Sequence, residues 1–289
     1  MRRREVLALL PLAAACRGSR RKLVVASKNF TEQSILGELL AQTAERAGEP
    51  VNRRFYLGGT LICHTALVAG RIDMYVEYTG TAFTAILKRK PIKDPLEVYR
   101  QTREAYRRDF GVELTEPLGF NNTFAILVRG ETARRLAIRT LSEAAGHTPG
   151  WKAGFGPEFM EREDGFRGLA ATYGLRFAET PRVMDLGLTY RALADGRIDV
   201  IAGDATNGLI AALDLFHLED DRRYFPPYEA VPFVRIDTLE RHAGLRERLR
   251  ALGGTIPDDR MRRLNYAVDG QHRDSRAVVR DFLDSLASR

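Results

Sequence analysis

Ala66-Leu67-Val68-Ala69-Gly70-Arg71-Ile72-Asp73 returns as Ala192-Leu193-Ala194-Asp195-Gly196-Arg197-Ile198-Asp199, identical at six of eight positions and 126 residues further on. In each copy an apolar helical run stops at glycine and a strand starts at the isoleucine. The ordinary grammar of a helix–glycine–strand turn can also produce such a match. Read as a duplication, it predicts two lobes, each with an equivalent βαβ unit. Parallel strands of open sheets present ligand groups at their carboxyl ends. Tyr78 stands at that end of the first repeated strand, and Asp204 is its counterpart 126 residues later. Facing lobes would set these two residues on opposite sides of a shared cleft.

Outward from the repeat, short β-rich runs alternate with helical patterns. Strands are expected near 23–26, 72–77, 124–128, 152–155 and 198–202, and helices near 61–69, 79–87, 96–109, 165–173 and 186–194. A further helix begins at Thr31, which can cap it, with Glu32 in the positive first turn. Its residues Ile35, Leu36, Leu39, Leu40, Thr43 and Ala47 form one buried face, and Gly48 stops it. The last fifty residues read as mostly helical. The alternation predicts an α/β fold with parallel sheets covered on both faces.

The 289 residues hold one large domain or two modest ones. The net charge of +7 suggests nucleic acid until it is located: residues 1–21 carry six arginines and one glutamate, leaving +2 for the remaining 268. The other arginines are interleaved with acids, a solvated surface rather than a phosphate-binding face, so no nucleic acid is expected. Arg2–Arg4, the apolar run 6–15 and the small residues before Cys16 read as an export signal, too short to span a bilayer. Leu12-Ala13-Ala14-Ala15-Cys16 is similar to a bacterial lipobox with the leucine one place further out, which would make Cys16 the lipidated first residue and 17–22 a tether; a plain signal cleaved nearby is the alternative. The mature chain is otherwise expected to be soluble, periplasmic or at the cell surface. Cys63 is the one other cysteine, and the five histidines show no metal spacing. Neither metal nor cofactor is expected. There is also no nucleophile elbow, P-loop or complete dinucleotide turn, so no enzyme is expected. Cys63, after Leu61-Ile62, reads as a buried small hydrophobe rather than a nucleophile.

Six landmarks recur in order: Ser27-Lys28-Asn29-Phe30-Thr31-Glu32-Gln33, Gly58-Gly59-Thr60, Glu77-Tyr78-Thr79-Gly80-Thr81, Gly119-Phe120-Asn121-Asn122-Thr123, Asp164-Gly165 and Phe225-Pro226-Pro227-Tyr228. From about Lys22 to Leu286 the chain resembles the substrate-binding proteins of ABC importers for glycine betaine, choline and related osmoprotectants. The resemblance implies a type II periplasmic-binding-protein fold of two lobes with two hinge crossings. The lobes would be 22–119 plus 229–289, and 120–228, with hinges near 118–120 and 225–231. It also implies a small quaternary-ammonium solute and, as partners, a membrane permease with its ATPase; a monomer is expected.

A trimethylammonium group has no N–H donors, so aromatic faces must hold it, at about 0.5–2 kcal/mol per ring. A zwitterion such as betaine also needs donors for its carboxylate. The resemblance assigns Tyr78 and Tyr228 to the cage, with Phe124 where the family usually has a third ring. It places Lys28, Thr81 and Arg162 at the carboxylate end and Asn122 beside the cage on the second lobe. Blander roles exist for each: helix packing for Tyr78, a rigid turn for Tyr228, core for Phe124, surface charge for Lys28 and Arg162. Asp204 departs from the pattern, standing where the family commonly has another cage tyrosine. A carboxylate there attracts any cation and repels a ligand carboxylate, which favours choline or a different cationic solute over betaine, unless Asp204 merely caps a helix over 206–212. A different cationic solute, ergothioneine-like or amino-acid-like, and an exported sensory domain are the alternatives.

Overall fold

The structure, a computed structural model, describes residues 21–287; the expected export signal and Cys16 lie outside the described residues. The first part of the chain runs β1 (Leu23–Lys28), α1 (Thr31–Arg46), β2 (Val51–Gly58), α2 (Thr60–Val68), β3 (Met74–Tyr78), α3 (Thr79–Thr81), α4 (Pro95–Phe110) and β4 (Val112–Leu114). There follow β5 (Phe124–Arg129), α5 (Gly130–Leu136), α6 (Leu141–Ala144), β6 (Ala153–Phe155), α7 (Pro157–Glu161), α8 (Phe166–Tyr173), β7 (Arg182–Val183), α9 (Leu186–Ala194), β8 (Val200–Asp204), α10 (Leu209–Ala212) and β9 (Leu215–Leu218). The chain then runs through β10 (Ala230–Arg235), α11 (Ile236–Arg241), α12 (Leu245–Arg250), α13 (Asp258–Asp269) and α14 (Ser275–Ala287).

Two five-stranded sheets result, ordered β2-β1-β3-β10-β4 and β7-β6-β8-β5-β9. Their topologies match strand for strand, and β3 and β8, which follow the repeated octets, hold the same central place. The repeat has a physical basis. Gly70 and Gly196 both stand in the left-handed region, at φ +67° and +71°, where a side chain would be strained. Ile72 and Ile198 are buried. The aspartates tie each strand to its neighbour in the same way. The Asp73 amide donates to Val24 O and its carboxylate accepts from Val24 N, both at 2.8 Å. Asp199 makes the equivalent pair with Lys152 at 2.7 and 2.9 Å. These ties delay the ladders, so the strands start at Met74 and Val200, two residues later than the sequence suggests.

The sheets are mixed, not parallel as expected. β10 lies antiparallel to β3 and β4, and β5 antiparallel to β8 and β9. Each is reached directly from the other sheet, without the crossover helix that a parallel connection requires. The two passages run side by side: Asn121 bridges Glu229, Asn122 N donates to Tyr228 O at 3.0 Å, and Tyr228 N donates to Asn121 Oδ1 at 2.6 Å. Helix α1 also differs from expectation. It is buried at every position from Glu32 to Ala44, because α13 and α14 cover the side away from the sheet. Several of its polar positions are matched internally, as when Arg53 bonds Glu38 at 2.7 Å. Thr31 is the first helical residue rather than the cap, and its hydroxyl donates to Asp269 of α13 at 2.7 Å. Each sheet has its own core, and Phe124 and Phe225 pack against both.

Candidate functional site

A cavity of about 450 Å³ lies where the carboxyl ends of β1, β3 and β8 meet the passages between the sheets. Lys28, Tyr78, Thr81, Asn122, Phe124, Arg162, Asp204 and Tyr228 all line it, so the structure brings together every ligand-binding candidate drawn from the sequence. The strand ends explain the convergence: Lys28, Tyr78 and Asp204 are the last residues of β1, β3 and β8, and Phe124 is the first of β5, opposite Asp204 in the antiparallel register.

The rings form a partial box. Phe124 and Tyr228 stand edge to face, 5.7 Å between centroids at 79°. Phe124 also meets Phe159 at 4.8 Å. Tyr78 and Tyr228 are buried, and their hydroxyls are fixed, by Glu32 and Asp164 respectively, at 2.6 Å each. Burial pushes both phenols well above their ordinary range, so both stay protonated as donors.

The two cations of the wall arrive already matched. Lys28 Nζ pairs with buried Glu77 at 2.6 Å, donates to Thr60 at 3.4 Å and lies 4.6 Å from the Tyr78 ring centroid. Arg162 binds both oxygens of Asp164 at 2.8 and 2.6 Å and reaches across to Thr81 at 3.1 Å. Its guanidinium covers Phe124 and Tyr228 at 5.3 and 5.7 Å. Burial opposes ionisation of both partners, but their mutual pairing overrides it, holding Asp164 below and Arg162 above the usual value. Each positive charge of the wall is therefore neutralised by its own carboxylate.

Negative charge is left over. Asp204, half-buried at the cavity, is pushed up to about 7 by burial and then by the charge of Glu32. It ends β8, and Gly208 rather than Asp204 occupies the cap of the short helix α10. Glu158 also lines the cavity and accepts the Thr60 amide across it at 2.9 Å. Cys63 is fully buried, its thiol pushed up to about 12, chiefly by burial.

Sequence reading missed the acids behind the wall: Glu32, Glu77 and Asp164, together with the lining residues Phe30, Phe159 and Glu158. A signal existed. Glu77 sits inside Met74-Tyr75-Val76-Glu77-Tyr78, a strand buried at every position, and a carboxylate there requires a buried partner. Among the described residues no group of three His, Cys, Asp or Glu could hold a metal ion, and no helix is long and apolar enough to cross a membrane.

Residues 21–285 match the family described as the substrate binding domain of ABC-type glycine betaine transport systems. The ergothioneine transport permease/ergothioneine binding protein of Helicobacter pylori (strain G27) is 35% identical over 91% of this chain, which spans only 47% of that protein. The carnitine transport binding protein of Listeria monocytogenes is 31% identical, covering 88% of this chain and 83% of its own length. A solved structure titled as a glycine betaine/carnitine/choline ABC transporter superposes with a TM-score of 0.77 at 33% identity, covering 91% of this chain and 98% of its own.

Proposed function

The chain belongs to the family of substrate-binding domains of ABC-type glycine betaine transport systems, and from that premise we propose that it is the extracytoplasmic solute-binding component of an ABC importer for a quaternary-ammonium solute. Choline, glycine betaine and carnitine are the candidate cargoes. The observation that carries the reading is one cavity between two sheets whose wall combines aromatic rings with uncompensated carboxylate. Rings hold a methylated ammonium that cannot donate hydrogen bonds. Because Lys28 and Arg162 are charge-matched, the wall offers a ligand carboxylate N–H groups but no net positive charge. That balance favours choline over betaine.

In this reading the lobes are 22–119 plus 229–289, and 120–228, and they close around solute contacted by both. The protein carries out no catalytic step. It works as a monomer that hands solute to a membrane permease driven by an ATPase. Residues 1–21 direct export, and lipidated Cys16 tethers the protein at the membrane, in the periplasm or at the cell surface, which raises its effective concentration at the permease.

A second reading has its own observation. Asp204, in place of a cage ring, suits a methylated ammonium whose far end carries N–H donors, and the 35% identical relative is named for ergothioneine. Titration calorimetry against choline, betaine, carnitine and ergothioneine tests both. At least one should bind, and Tyr78→Ala should weaken it by roughly tenfold or more. Heat from none of the four, with no ligand-induced rise in melting temperature, would overturn the proposal.

A further inference from the structure

Glu32 is absent from the cavity wall, yet two residues of that wall, Tyr78 and Asn122, are held by it. It is 3% exposed. Its Oε1 accepts from the Tyr78 hydroxyl at 2.6 Å and Asn122 Nδ2 at 2.8 Å. Its Oε2 accepts from the Thr206 hydroxyl and from Asn265 Nδ2, the latter at 2.8 Å. The donors come from β3, from one passage between the sheets, from the segment after β8 and from α13. Four donors on two oxygens fill a carboxylate's acceptor capacity.

The asparagines show how strongly the arrangement is imposed. Asn122 Oδ1 and Asn265 Oδ1 are both buried without a hydrogen-bond partner, a cost that native cores rarely bear. Turning either amide over would place its carbonyl against the carboxylate. Glu32, together with Asp204, therefore sets which face of the Asn122 amide is turned toward the cavity, and the hydroxyl bond tethers the Tyr78 ring.

We propose that Glu32 is the positioning residue of the cavity: a carboxylate one layer behind the ligand space that orients Tyr78 and Asn122, anchors Thr206 of the opposite sheet, and lends its negative potential to Asp204. The last function rests on the cation-binding reading above; the first two do not. Asp204 is faced by Glu32 from α1, Glu158 from α7, Lys28 from β1 and the Asn122 amide, and its own amide donates to the Tyr190 hydroxyl of α9 at 2.8 Å. Glu32 and Glu158 oppose its ionisation; Lys28 and Asn122 favour it.

Two variants separate charge from geometry. Glu32→Gln removes the charge and sets an NH2 against asparagine N–H groups. Glu32→Asp keeps the charge but shortens the reach by one methylene. Choline affinity of each should fall roughly tenfold or more at neutral pH, as expected when buried donors lose a charged acceptor. In the wild type, choline affinity should rise as pH passes through about 7. That midpoint should move to lower pH in Glu32→Gln and stay in place in Glu32→Asp, a difference that a merely structural role would not produce. Carbon-13 NMR of the Asp204 carboxyl, assigned with Asp204→Asn, reads the same midpoint without ligand. If choline fails to bind, only the preference for choline falls, the affinity readout passes to whichever of the four solutes binds, and the NMR titration still tests Glu32. An unmoved Asp204 midpoint in Glu32→Gln, or unchanged choline affinity in both variants, would overturn the proposal.

Discussion

Asp204 occupies the carboxyl end of β8, equivalent to Tyr78 at the end of β3, so the two sheets offer an acid and a ring from matching positions. The sequence repeat made both positions legible, because strand ends are where open sheets gather ligand groups. Glu32 was not legible as a hub: its four donors are spread from residue 78 to 265, and only the finished fold shows that they converge. Asp204 has a measurable consequence of its own. Its carboxyl is held at about 7 in the folded protein against an ordinary 3.8. Between those values the folded state binds more protons than the unfolded state, so this group makes stability fall as pH rises, levelling off above about 7. Asp204→Asn removes that loss. The melting temperature of the variant minus that of the wild type should therefore grow from pH 4 to 7 and stay flat above it, as read by calorimetry. The same variant should weaken choline more than betaine, since only betaine carries a carboxylate for Asp204 to repel.

The short segment that carries Tyr78 into α3 depends on Gly80. A Cβ on Gly80 would lie 2.5 Å from Pro227 O and 2.8 Å from the Tyr228 ring. Backbone and a buried aromatic cannot both yield, so the β3–α3 turn and the Pro226-Pro227-Tyr228 segment must separate. Gly80→Ala should therefore lower stability by about 1–3 kcal/mol, the usual cost of overpacking, and should weaken choline as Tyr228 shifts. Denaturant unfolding reads the first effect and calorimetry the second. Wild-type stability in the variant would mean that the contact relaxes without consequence. At this scale the sequence was uneven. Helices such as α4 were legible in outline, and in the fold Asp94 caps it, Pro95 opens it and Gly111 closes it. β10 was not, because Pro232 breaks its apolar run. In the fold Pro232 faces Val76 across an antiparallel pair while its carbonyl still accepts from Thr115 N at 3.1 Å. β2 hid behind its charges, for Arg53 and Arg54 belong to a strand whose residues alternate in exposure.

Between the sheets, most polar contacts are ones that water could replace. Arg162 reaches Thr81 at 3.1 Å, Asp164 accepts from Thr84 at 2.8 Å, and Glu158 accepts from the Thr60 amide at 2.9 Å. Such bonds contribute only about 0.5–1.5 kcal/mol each, or 1.5–3 with a charged group, because solvent offers substitutes. The two passages at Asn121 and Glu229, by contrast, are paired through backbone and should stay together if the sheets part. An opened form should therefore lie within reach of the closed one, and a solute that meets both walls supplies the difference. Small-angle scattering should show a larger radius of gyration without choline than with it, and saturating choline at about 100 times Kd should add about 2.7 kcal/mol to stability. Identical scattering curves alongside confirmed binding would mean that the cavity fills without closure. The hydrogen bonds across the cleft would then serve to keep one rigid shape rather than to close on a guest.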